Sequence, residues 1–230
     1  MQLASQLWSH MPAATGAGFY ETWLQVLLRS MESTAKSPDG SGLLWSNTFR
    51  PNVGYGFEDA EIMSGKLFYT SVLYWNASRL VSDMARQSGD AALATKMDAQ
   101  AAKIQAAVTA KLWNQSMGVF MASTGIENAS IDVWGNALAG GSGFATAQQS
   151  AKIFQFFKTR EADIFYEGSH VRQVPKHDNW SVVRGLWDGM LYREGGFWAT
   201  PNHHVLPFLA QYNRGMGIVR RRCGLRYASN

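Results

Sequence analysis

The chain is poor in cysteine, in charge and in long apolar runs. It has one cysteine, Cys223, which excludes an intramolecular disulfide framework and any zinc centre built on several thiolates. No apolar stretch approaches the roughly 18 residues a membrane-spanning helix needs, so no membrane span is expected. The first residues, Met1–Gly18, lack the basic start and apolar centre of a signal peptide, and a targeting segment, if the protein has one, is expected to lie outside this sequence. Charged residues make up 17% of the 230, against 46% hydrophobic residues. A chain this apolar is not disordered, and its length suffices for one large domain or two small ones with a sizeable core.

What charge there is lies unevenly. The net charge is +4, from 21 Lys and Arg against 17 Asp and Glu, but residues 214–230 hold five arginines and no acid. The body, 1–213, is therefore close to neutral, with 16 basic residues against 17 acidic ones. It has no basic stripe with interleaved aromatics, which argues against a nucleic-acid partner. The division expected is a single domain over 1–213 followed by a basic tail over 214–230.

Helical periodicity dominates the body. Apolar residues at Ile62, Met63, Leu67, Phe68, Val72, Leu73, Leu80, Val81 and Met84 predict an amphipathic helix from Asp59 to about Gln87. Ser88–Gly89–Asp90 breaks the pattern, and Leu93, Met97, Ala101, Ile104, Val108 and Leu112 restore it. Two helices joined by so short a turn should pack antiparallel. Asn114, Ser116 and Gly118 then supply a turn, after which Val119 and Phe120 can re-enter the core. Further helices are expected at Phe19–Met31, Val133–Leu138, Thr146–Lys158, Ser181–Met190 and Thr200–Tyr212, about seven in all with no βαβ alternation. The fold class expected is all-α.

Three loop constellations could carry chemistry. In Gly54–Tyr55–Gly56–Phe57–Glu58–Asp59, two carboxylates stand where the long helix is expected to begin, beside two aromatic rings. Glu58 or Asp59 can cap that helix, or can serve as a general acid whose pKa the rings raise by desolvation. In Tyr192–Arg193–Glu194–Gly195–Gly196–Phe197–Trp198, a carboxylate adjoins a Gly pair and two rings able to stack on the apolar face of a sugar. Here too the alternative is a solvated Glu194 and core aromatics. In Asp132–Val133–Trp134–Gly135–Asn136, Asp132 is first of all an N-cap, and with Trp134 it could also bind sugar hydroxyls. The histidines, His203–His204 included, build no metal site, because adjacent residues point to different helical faces and no metal-ligand spacing is present. No serine-nucleophile elbow, phosphate loop or dinucleotide fingerprint occurs, so no cofactor is expected.

Taken in order, Gly54–Asp59 with Gly65–Lys66, the turn from Trp113–Asn114 to Gly118–Val119–Phe120, Asp132–Ala137, and Gly195–Pro201 resemble the six-hairpin (α/α)6-barrel glycoside hydrolases, distant kin of the mannosyl-oligosaccharide glucosidases, trehalases and glucoamylases. The resemblance runs from about Leu44 to Tyr212. It implies a toroid of paired helices and hydrolysis of an α-linked sugar with inversion, one carboxylic acid protonating the leaving oxygen and one carboxylate activating water. Carried over, Asp59 or its neighbour Glu58 is the acid and Glu194 the base, with Tyr55, Phe57, Asp132, Trp134, Tyr192, Phe197 and Trp198 lining a carbohydrate pocket. Relatives often carry an amide near Glu194, which leaves a non-catalytic carbohydrate-binding fragment as the alternative.

Twelve helices with their loops need roughly 360 residues, so the resemblance also implies an incomplete toroid, its C-terminal part, able to associate with the missing N-terminal half. Four Asn-x-Ser sequences, at Asn76, Asn114, Asn128 and Asn179, are compatible with glycosylation in a secretory compartment.

Overall fold

The computed structural model describes residues 13–47, 63–125, 128–166, 170–176, 178 and 202–212. Among them are seven helices and six two-residue strands, an all-α fold with short β pairings at the helix ends. In chain order the elements are α1 (Ala13–Glu32), β1 (Trp45–Ser46), β2 (Gly65–Lys66), α2 (Phe68–Gln87), α3 (Ala91–Leu112), β3 (Trp113–Asn114), β4 (Val119–Phe120), α4 (Val133–Gly141), α5 (Ala147–Thr159), α6 (Glu161–Ile164), β5 (Phe165–Tyr166), β6 (His170–Val171) and α7 (Asn202–Tyr212). No described helix is long and apolar enough to cross a membrane.

The α2–α3 hairpin follows the periodicity. α2 stops at Gln87, where Ser88 and Asp90 donate their N–H groups to the carbonyls of Met84 and Ala85, and the Asp90 carboxylate then caps α3 by accepting from the Leu93 N–H at 3.0 Å. The helices run antiparallel: Ser82 donates to the Ala94 carbonyl at 3.0 Å and to Asp98 at 2.7 Å, and one turn back Gln100 donates to Ser78 at 2.9 Å. Arg86 also pairs with Asp98. Val72, Val81 and Met84 meet Met97, Ile104 and Val108 in one buried cluster.

The start of the long helix departs from the sequence expectation. Helix α2 begins at Phe68, capped by the extended Leu67, and residues 63–67 are not helical. Glu58 and Asp59 therefore do not open this helix. Met63 and Leu67 are buried, but in a separate small cluster with Ala122 and Val174, reached from an extended backbone. Their spacing imitates a helical stripe. The backbone groups there are taken by neighbouring segments: Leu67 N–H by the Leu44 carbonyl, Phe68 N–H by that of Ala122, and the Lys66 carbonyl by Thr124 N–H. A chain that satisfies its polar groups sideways cannot also satisfy them along a helix.

The remaining helices match their predicted positions to within a few residues, except that α1 starts six residues before Phe19. Thr146 and Gln149 form a reciprocal capping box at the start of α5. The predicted helix Ser181–Met190 lies outside the described residues. The seventh described helix is instead the single turn α6, fixed by Arg160, which binds Asp163 at 2.9 Å, Asp178, and the Lys176 carbonyl at 2.8 Å.

Helix α4 is the centre of the packing. Every residue from Val133 to Gly140 is buried, because α2, α5 and α7 all pack on it. Two of its glycines permit this. A Cβ at Gly135 would stand 3.0 Å from the Phe68 ring, and one at Gly140 only 2.4 Å from the Phe208 ring. These contacts also give direction. The start of α4 meets the start of α2, and the end of α4 meets the second half of α7, where Gln211 donates to the Gly141 carbonyl at 3.3 Å. Near the starts of α2 and α7, Tyr69 meets His204 edge-on at 6.1 Å. So α2, α4 and α7 lie side by side, run in one sense, and present their N-termini at one end of the bundle.

Asn136, fully buried on α4, binds the β3–β4 hairpin to this centre. Trp113 and Phe120 face each other in the hairpin, with backbone hydrogen bonds linking the flanking pairs, so the polar groups of Phe120 point away from β3. The Asn136 amide takes both, accepting from Phe120 N–H at 2.8 Å and donating to its carbonyl at 2.9 Å, and donates also to the Asp132 carbonyl at 2.9 Å. The Phe120 ring then stacks on Phe68 at 4.8 Å and meets Trp113 and Phe144 edge-on.

Replacing Asn136 by Ala leaves the N–H and carbonyl of Phe120 buried without partners. The expected loss is roughly 3–5 kcal/mol in urea unfolding, far above an average core truncation of that size. Gly140→Ala should cost roughly 1–3 kcal/mol by overpacking against Phe208, and adding Phe208→Leu should recover part of it.

Candidate functional site

The candidate residues divide into two groups. Tyr55, Phe57, Glu58, Asp59, Tyr192, Glu194, Phe197 and Trp198 lie outside the described residues. Asp132 and Trp134 are described, at the start of α4. Asp132 is 1% exposed and its carboxylate accepts from the Gly135 N–H at 3.0 Å, the geometry of a helix N-cap. The next backbone N–H, of Val133, is taken by the Gln173 carbonyl at 2.8 Å. Trp134 is the largest fully buried side chain of the described core. Asp132 is thus the N-cap expected of it, and Trp134 sits in the hydrophobic cluster.

A mat of short pairings surrounds these helix starts. Leu44–Ser46 pairs with 65–67, Leu67 bridges to Ser123, Met121 bridges to Ile131, and Val133 joins Gln173. Asp39 reinforces it through ion pairs to Lys66 at 3.2 Å and Lys111 at 3.5 Å. The buried polar residues Ser64, Ser123, Ser130, Asp132 and Gln173 all belong to this end.

A second feature involves the His203–His204 pair, whose spacing in the sequence pointed to no site. Beside α4, between α2 and α7, lies a cleft of about 330 Å³ lined by Asn76, Ala137, Leu138, Ser142, His203 and His204, among others. The two histidines do not diverge as adjacent helical residues were expected to: their rings are 3.6 Å apart and both line this cleft. They sit in the first turn of α7, where side chains are less constrained by a preceding turn. Among the described residues no cluster of three or more metal-ligating side chains occurs. His204 is 8% exposed, and burial, with a smaller contribution from His203, pushes its pKa from 6.5 down to about 4. Neither Asp132 nor Trp134 lines the cleft. Of the Asn-x-Ser positions, Asn76 lies within α2 on the cleft wall, Asn114 holds the β3–β4 turn by accepting from the Ser116 and Met117 N–H groups, and Asn128 is exposed.

A buried neutral histidine has a stability signature. The unfolded chain takes up a proton near pH 6.5 and the folded chain only near pH 4, so stability is full above pH 6.5 and falls as pH drops toward 4. The loss attributable to His204 is on the order of 3 kcal/mol. Urea unfolding at pH 7 and pH 4.5 should show it, and His204→Phe should flatten that part of the pH dependence. Asp132→Asn, which keeps a capping oxygen, should change stability by less than about 0.5 kcal/mol, whereas Asp132→Ala should cost about 1 kcal/mol.

No protein-family model matches the chain, and a search of the curated proteins finds no match.

Proposed function

We propose that the chain is a carbohydrate-active domain of the six-hairpin type, part of an (α/α)6 toroid, that hydrolyses an α-linked sugar with inversion. Asp59, or Glu58 beside it, protonates the leaving oxygen, and Glu194 activates the attacking water. The observation that carries this reading is the common direction of α2, α4 and α7. Parallel neighbouring helices, each returned by an antiparallel partner such as α3, are what a toroid of hairpins requires, and they gather the preceding loops at one end. In the chain, Glu58 and Asp59 precede α2 by about ten residues, Glu194 precedes α7 by eight, and Asp132 caps α4. Every candidate carboxylate is therefore tethered to the N-terminal end of one of the three helices. Inversion further requires the two carboxyl groups to stand roughly 6.5–9.5 Å apart, with room for a water between them.

The test is hydrolysis of aryl α-glycosides, with the anomer first released followed by proton NMR. Wild type should release the β-anomer, and Asp59→Asn and Glu194→Gln should each lose at least a hundredfold in kcat while Asp132→Asn keeps it. Release of the α-anomer, or full activity in both carboxylate variants, would overturn the mechanism. Sugar binding without any turnover in the wild type would assign the chain to carbohydrate binding alone.

A further inference from the structure

We propose that the cleft between α2, α4 and α7 is a binding site for a small uncharged molecule with adjacent hydroxyl groups, gripped by the His204 imidazole and the Asn76 amide. This rests on the cleft's own chemistry and does not require the glycosidase reading.

Three observations converge on it. The first is His204 itself. It is more than nine-tenths buried and lines the cleft, and its contacts among the described residues are to rings, Tyr69 edge-on at 6.1 Å and His203 at 3.6 Å, with no hydrogen bond to its imidazole. Its ring nitrogens are not sealed from solvent, so they can open on the cleft and hydrogen-bond a ligand there. The second is the lining: a neutral imidazole offers one donor and one acceptor, and the half-buried Asn76 amide and the Ser142 hydroxyl each offer both. Hydroxyl groups, which also donate and accept, match this set. The third is charge. Among the described residues no Asp, Glu, Lys or Arg lines the cleft to offer an ionic ligand a countercharge, while Ala137, Leu138 and Pro207 offer apolar surface to the carbon face of a polyol. The volume, about 330 Å³, is at the small end of ligand sites.

Among the described residues, the groups that face His204 and can titrate are Tyr69 on α2 and His203 on α7; α4 contributes none. Since the imidazole remains neutral down to about pH 4, binding should be level from pH 8 to pH 6 and weaken only in strong acid.

The experiment uses myo-inositol as an uncharged cyclic polyol, with inorganic phosphate and zinc chloride as competing chemistries, read by titration calorimetry and by the histidine ring signals in proton NMR. Expected are saturable inositol binding that shifts the His204 ring signals, and at least tenfold weaker binding in Asn76→Leu and in His204→Phe, each shown folded by circular dichroism. Lys103→Ala, remote from the cleft, should bind like wild type. Absence of saturable inositol binding would overturn the proposal. So would binding unaltered in Asn76→Leu and His204→Phe, or saturation by phosphate or zinc alone.

Discussion

The bidentate hold of the Asn136 amide on the backbone of Phe120 is the constraint on which the described core depends. Phe120 lies on a strand edge whose outward N–H and carbonyl would otherwise be buried unpaired, at a cost the whole domain could scarcely bear. A side-chain amide is the one neutral group that both accepts and donates in the spacing of a peptide bond. With that pair made, the Phe120 ring is fixed between Phe68, Trp113 and Phe144, and Phe144 in turn meets Trp75 edge-on at 5.2 Å. The hairpin, α2 and the entry to α5 are thus all referred to one position on α4.

Around that position the structure is built by close approach. α4 is short and rich in small residues, and its neighbours α2 and α7 reach it where glycine leaves room for Phe68 and Phe208. Such a helix has little stripe of its own. It is buried on all sides, so its composition and not its periodicity carries the information. The same packing brings the first turns of α2, α4 and α7 to one end, and that shared end is what gives the functional proposal its geometry.

Much of the fold was legible from residue order because it is local. The α2–α3 hairpin, the Asp132 cap and the Asn114 turn depend on contacts within a few residues or on one apolar stripe. The start of α2 was misread because Met63 and Leu67 have helical spacing but are buried from an extended segment by Ala122 and Val174, partners more than fifty residues away. The His203–His204 pair was misread for a related reason. Helical geometry separates adjacent side chains, but in a first turn packed against Tyr69 both rings turn into one cleft.

What the sequence determined by itself is therefore the all-α class, the hairpin, the Asp132 cap, and the chemical kinds of side chain available on each loop, since these follow from propensity, spacing and side-chain chemistry. The common direction of α2, α4 and α7, the Asn136 clamp and the buried, neutral His204 were decided only in the tertiary structure. Each needs groups far apart in the chain to exclude water together: an amide becomes indispensable, and an imidazole gives up its proton, only where packing has removed the solvent that would otherwise satisfy them.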